Sequence, residues 1–370
     1  MLSPTYWIQN VCVLLAIILL TACNDEPEAN LNVPDTYESP DYESNVTFER
    51  TLRSELSTMV SAANAVEANA LAGNFNSGSI TYPANLQGVT NSTYATLIQN
   101  WLGEIVQAAN SGQAFDLENA PSGQGGLLGT RLLDENGIEL EQLLDKGLYG
   151  AAFYNQALAI VNSDNLTQAS IDRLVEIFGA HPSFPGDDTA PENPDKFAAN
   201  YAQRRSNNVN KTGLYYDIKK NLITAREAIG EGAFYDQVRD AALDAFLLNW
   251  EKANFATIIY YCNDAKNKIV NANNESDITA RSFLLGDALH SYSEAVGFVY
   301  GWLGLSQKEI TDAELTELLN LLLVTPNQTP ESYRFAKEAG LLTNFDQVID
   351  KIQAIYGFSE VEVSSFFVNN

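Results

Sequence analysis

Asp287, His290 and Glu294 are spaced i, i+3 and i+7, so on a helix the three side chains share one stripe. Imidazole and carboxylate are donors that a divalent metal accepts, and His290 and Glu294 fall on successive turns. The stripe runs among apolar neighbours, Leu285, Leu289, Val296 and Phe298, which sets it inside the fold or along a cleft. A zinc-protease signature needs a second histidine four residues on and a glutamate beside the first, and neither is present. Two roles are expected for the stripe. One is a metal site of Asp287, His290 and Glu294 with a divalent metal or iron as cofactor; the plainer one is a buried histidine–carboxylate hydrogen bond that fixes helix packing.

A second group is a basic island in an acidic chain: Lys196, Arg204, Arg205, Lys211, Lys219 and Lys220, with Asp217 the one acid between Lys196 and Lys220. The guanidinium fork suits a carboxylate or phosphate, so Arg204 and Arg205 are candidate ligand-binding residues alongside His290 and Glu294. The alternative is internal pairing with acids such as Glu251 or Glu294. The loop from Gly179 to Asp195 carries His181, Asp187, Asp188, Glu192 and Asp195 among four prolines, in no calcium-loop spacing, and reads as a solvated connector. Asp134-Glu135-Asn136-Gly137 lacks the spaced ligands and closing glutamate of a calcium loop and reads as a turn before a helix. Cys262, alone in an aromatic stretch, reads as a small buried hydrophobe rather than a nucleophile. No Gly-x-Ser-x-Gly elbow, phosphate loop or dinucleotide fingerprint occurs, so no catalytic residue is assigned.

The elements that must position these residues are helical. Phe48, Leu52, Leu56, Met59, Val60 and Ala63 recur at three and four, as do Tyr94, Leu97, Ile98, Trp101, Leu102 and Ile105. Glu139 to Val161 carries Gly147, Gly150, Ala151 and Ala152, small residues that admit a close neighbour. No proline falls between Pro194 and Pro326, and Asp236 to Asn271 is apolar nearly all round, the mark of a central buried helix. Further helices are expected at Thr279 to Leu303, Asp312 to Leu323, Pro330 to Glu338 and Asn344 to Tyr356, with a short strand in the tail at Val361 to Val368. The expected class is all-α: a multi-helix bundle over 47–358, divisible into packed halves 47–180 and 195–358, with a tail at 359–370.

Ahead of the bundle, Val11 to Leu20 is an apolar run too short to span a bilayer and placed where a secretory h-region belongs, although no Lys or Arg precedes it. Leu20-Thr21-Ala22-Cys23 resembles the lipobox of bacterial lipoproteins, which implies a signal peptide at 1–23 and lipid on Cys23. Residues 24–46 hold seven acids, three prolines and no base before Val46, and are expected to form an extended tether. With 47 acids against 21 bases the net charge is -26, which repels phosphate backbones and excludes nucleic acid as a partner.

Val33-Pro34-Asp35-Thr36-Tyr37, Lys146-Gly147-Leu148-Tyr149-Gly150-Ala151, Arg204-Arg205-Ser206-Asn207 and the run Ala288 to Phe298 together resemble an envelope lipoprotein family called domain of unknown function 4856. That family is similar in style to imelysin-like helical-bundle proteins linked to iron uptake. Their Gly-x-His-x-x-Glu motif is not matched, since His290 and Glu294 are one residue further apart. The resemblance implies a cell-envelope location and a helical bundle. The expected function is therefore a non-catalytic, lipid-anchored protein of a Gram-negative outer membrane that binds a small ligand or a receptor, with an association to iron acquisition. Its alternatives are an imelysin-like metal-dependent hydrolase or a glycan-capturing lipoprotein, the latter suggested by 17 Tyr and 4 Trp.

Overall fold

Asp236–Asn273 contains neither Pro nor Gly and carries apolar side chains on every side, so one unbroken helix of 38 residues forms and is buried around its middle. Phe246, Trp250, Phe255, Ile258 and Cys262 on it are essentially inaccessible. The structure, a computed structural model, describes residues 30–121, 123–186 and 191–369. Cys23 and the expected signal peptide lie outside the described residues.

The body, Pro34–Asn370, begins with α1 (Tyr42–Asn45), α2 (Thr47–Leu71), α3 (Ala84–Val89) and α4 (Ser92–Asn110). A two-stranded antiparallel hairpin follows, β1 (Gly126–Leu128) and β2 (Arg131–Leu133), turning at Gly129, whose φ of 61° suits glycine. Then come α5 (Leu140–Leu148), a π-helical turn at Tyr149–Tyr154, α6 (Asn155–Val161), α7 (Gln168–Phe178), α8 (Phe197–Arg204) and α9 (Leu214–Glu231). The long helix is α10, flanked in space by α9 and by α11 (Ile278–Tyr300). The chain closes with α12 (Asp312–Leu321), α13 (Arg334–Lys337), α14 (Thr343–Tyr356) and α15 (Glu360–Phe366).

The all-α class holds, and the body is one compact unit across residues 180–195, where α11 packs on α5 and α9 on α7. Three local expectations need correction. Residues 361–368 form no strand: Ser359 and Glu362 make a capping box that starts α15 as a helix. The helix expected from Glu139 to Val161 is interrupted by the π turn. The acidic stretch ahead of α2 is also not free to residue 46. Tyr37, Tyr42 and Val46 are buried, and Asp172 of α7 accepts hydrogen bonds from Tyr37, Ser39 (2.8 Å) and Asn45 (2.7 Å). Glu176, one turn on, accepts from Tyr42 at 3.0 Å.

The packing that governs the interior is the crossing of α5 with α11. A Cβ on Gly301 would stand 2.1 Å from the Gly147 carbonyl oxygen, and one on Gly297 2.8 Å from that of Gln142. The backbones meet because side chains are absent, as the small residues of the sequence led one to expect. Gly147 has a second function: a Cβ there would overlap the Tyr94 hydroxyl, which donates to the Leu143 carbonyl at 2.6 Å.

Candidate functional site

The α5–α11 pair presents two working faces. On one, Gln142 and Lys146 of α5 oppose His290 and Glu294 of α11. His290 Nδ1 is 2.7 Å from Glu139 Oε2, and its Nε2 is 3.5 Å from Glu294 Oε2. Arg131, carried on β2, lies 3.8 Å from Glu139 Oε1 and 3.0 Å from Asp287. The hairpin reaches this position because Gly286 admits the Leu128 carbonyl, which a Cβ would approach to 2.3 Å. Lys146 lies 3.5 Å from Glu294 and also pairs with Asp145. Burial works to lower the affinity of Lys146 for its proton, but Asp145, Tyr201, Tyr149 and Glu294 outweigh it and hold the ammonium well above its ordinary value. Glu141 and Glu67 behind the row are pushed up, by burial first and by Asp145 and Glu139 respectively next.

The result is a chain of paired polar side chains, Asp287–Arg131–Glu139–His290–Glu294–Lys146–Asp145, that ties β2, α5 and α11 together. His290 and Glu294 are brought together as their spacing predicts, but Asp287 is held by Arg131 and does not join them as a third donor. Among the described residues no three His, Cys, Asp or Glu side chains are arranged to hold a metal ion. Arg204 reaches the cluster's edge, its guanidinium 5.4 Å from the centre of the Tyr201 ring, against which Lys146 also lies at 5.6 Å. Arg205 is buried and bonds to the C-terminal segment through the Phe366 carbonyl, the Val368 carbonyl at 3.1 Å and Asn369, with the Tyr260 ring 4.6 Å away. Neither arginine pairs with Glu251. That carboxylate accepts from the Glu309 and Ile310 amides (2.8 and 2.9 Å) and from the Tyr356 hydroxyl (2.7 Å).

The other face of the same pair, Leu140 and Leu143 on α5 with Val296 and Tyr300 on α11, backs a cavity of about 430 Å³. Its remaining walls are α4, through Asn100, Trp101, Glu104 and Gln107, the turn at Asp134 to Ile138, and the segment from Val324 to Pro330. Such a volume lies within the range of small-molecule sites. Trp101 is half-buried and set edge-on to Tyr94 (5.3 Å between ring centres) and to Tyr300 (6.1 Å). Trp250 and Trp302 belong to the core, so the described tryptophans form no broad exposed platform.

Asp134 is the buried charge of this cavity. Its Oδ1 accepts from the backbone amides of Asn136 (2.9 Å) and Ile138 (2.7 Å), and its Oδ2 from the Asn136 side chain (3.2 Å). Burial nevertheless pushes the carboxyl up to about 7, with Glu104 adding to the rise and the hydrogen bonds opposing it. Glu104 is itself raised, by burial and then by Glu135. Sequence reasoning assigned these residues to a turn and to a helix face. The signal was present in the helix Tyr94 to Ile105, where Trp101 precedes Glu104 and Gln107 at helical spacing beside the apolar face.

His181 and Asp195 close their own connector, Asp195 accepting from the His181 backbone amide at 2.8 Å and from the Tyr215 hydroxyl. Cys262 is inaccessible, and burial, followed by Asp346, pushes its thiol well above the ordinary value. Comparison with known protein families, with curated proteins and with solved structures finds no match to this chain.

Proposed function

We propose that this chain is a lipid-anchored cell-envelope protein that captures a small molecule in the cavity beside Trp101 and Tyr300 without transforming it. The observation that carries the reading is the cavity itself: about 430 Å³, with an aromatic edge, amide and carboxylate side chains and an apolar back wall. The charged row around His290 supports it indirectly. Its acids and bases pair with one another across three elements, so the row acts as a clasp that holds the back wall in place. The inaccessible Cys262 thiol supports binding over covalent chemistry. The lipobox-like Leu20-Thr21-Ala22-Cys23 and the family resemblance support the envelope location and an outer-membrane anchor.

Two measurements test the reading. Cys23→Ser should move the protein from the membrane fraction to the soluble fraction; unchanged partitioning refutes the anchor. Pooled envelope metabolites should raise the melting temperature of the protein, and Trp101→Ala should abolish that rise. A ligand whose effect survives Trp101→Ala binds elsewhere and refutes the cavity as the site.

A further inference from the structure

The cavity walls are one-sided in charge. Glu104, Asp134 and Glu135 line it, while none of the described residues around it is Lys, Arg or His. Four buried carboxylates elsewhere in the body lie against cations, Glu49 with Arg173 at 2.7 Å, Asp172 with Arg226 at 3.0 Å, Glu176 with Arg53 at 2.6 Å, and Glu294 with Lys146, whereas Glu251 is held by two amides and a tyrosine hydroxyl and lines no part of this cavity. Asp134 has amides only, and the acids are near enough for Glu104 to add to the rise at Asp134 and Glu135 to that at Glu104. A further acceptor stands on the same wall. Asn136, 7 % exposed, leaves its Oδ1 without a hydrogen-bond partner. Beside the acids, Trp101, one helical turn ahead of Glu104, and Tyr300 supply aromatic surface, and aromatic rings attract cations.

From this arrangement we infer that the cavity takes an organic cation, its ammonium or guanidinium head among Glu104, Asp134 and Glu135 and its hydrocarbon body against Trp101 and Tyr300. The inference rests on the cavity being the capture site proposed above. A neutral saccharide would use the amides and the indole but would leave the three carboxylates without a counter-charge. A divalent metal does not fit, since the acids are not arranged as a ligand set. An elongated amine satisfies both halves of the wall, because its charge neutralises the acids while its chain covers the rings.

The test uses a matched pair of probes, phenethylamine and 2-phenylethanol, which differ chiefly in the charged head. Calorimetry and quenching of tryptophan fluorescence should show the amine binding at least tenfold more tightly than the alcohol. Glu104→Gln, which keeps the side chain's size at a cavity-lining position outside the core, should weaken the amine about tenfold and leave the alcohol unchanged. Asp134→Asn should act in the same direction. Equal affinity for amine and alcohol, or amine binding indifferent to both substitutions, overturns the cation assignment. Maltose quenching Trp101 where amines do not overturns the cation assignment and leaves small-molecule capture standing. Amine binding undiminished in Trp101→Phe, Glu104→Gln and Asp134→Asn alike places the amine outside the cavity and overturns both readings.

Discussion

Asp134→Asn should make the unliganded protein more stable above neutral pH and leave it nearly unchanged in acid. In the fold the carboxyl is raised from its ordinary 3.8 to about 7, so the native state keeps a proton that the unfolded chain releases over that interval. Stability contributed by the protonated form is complete below the unfolded value and is lost as pH rises through the folded one. The interval corresponds to a ceiling of about 4 kcal/mol at pH 8, since each pH unit is worth about 1.4 kcal/mol. The substitution preserves the turn. An asparagine Oδ1 accepts from the Asn136 and Ile138 amides as the carboxylate does, and rotating the Asn136 amide turns its unpartnered Oδ1 towards the new NH₂. Other buried acids, Glu67, Glu141 and Glu251 among them, also titrate upwards, so the quantity to read is the difference between variant and parent. Urea denaturation at half-unit steps from pH 4 to 8.5 should show that difference growing from near zero to several kcal/mol, with most of the growth below pH 7.5. A difference independent of pH, or a variant less stable than the parent at pH 8, refutes the account of Asp134 as a buried, uncompensated acid.

Gly301→Ala should destabilise the body by about 3 kcal/mol or prevent folding, because the new Cβ meets the Gly147 backbone at 2.1 Å; an unchanged urea midpoint counts against the close crossing. Lys146→Met should lower stability by roughly 3 kcal/mol, since buried Glu294 and half-buried Asp145 are left without their cation, and adding Glu294→Gln should recover part of the loss. His290→Ala should lower stability by about 1–2 kcal/mol through the lost Glu139 bond while leaving phenethylamine binding unchanged; weaker binding with unchanged stability would move the ligand site to the charged row. Cys262 should react with a chromogenic disulfide reagent only in denaturant, and rapid reaction of the native protein would contradict its burial.

The helices were legible because their signal is local. Leu52, Leu56, Met59 and Ala63 announce the buried face of α2, and the stripe Asp287, His290, Glu294 announces a polar face on α11. The partners of that stripe were not legible. Arg131 arrives from a hairpin that three-residue strands barely signal, and Glu139 approaches from the first turn of another helix, 151 residues away in sequence. Arg204 and Arg205 are adjacent in sequence yet part company, one to the Tyr201 ring and the other to the C-terminal segment. The cavity was hidden for the same reason. Asn100 to Gln107, Asp134 to Ile138 and Val324 to Pro330 meet only once α5 and α11 are in contact, so each segment alone reads as an amphipathic helix face, a turn or a loop.

The packing of Tyr37, Ser39, Tyr42 and Asn45 onto Asp172 and Glu176 also sets how force would enter the body. Any pull on the chain ahead of Tyr37 is carried first by the bonds to Asp172, which also accepts from Arg226 at 3.0 Å. Mechanical load thus enters through α7 and α9 and reaches the cavity wall of α4 and α5 only by way of further packing, such as that of α2.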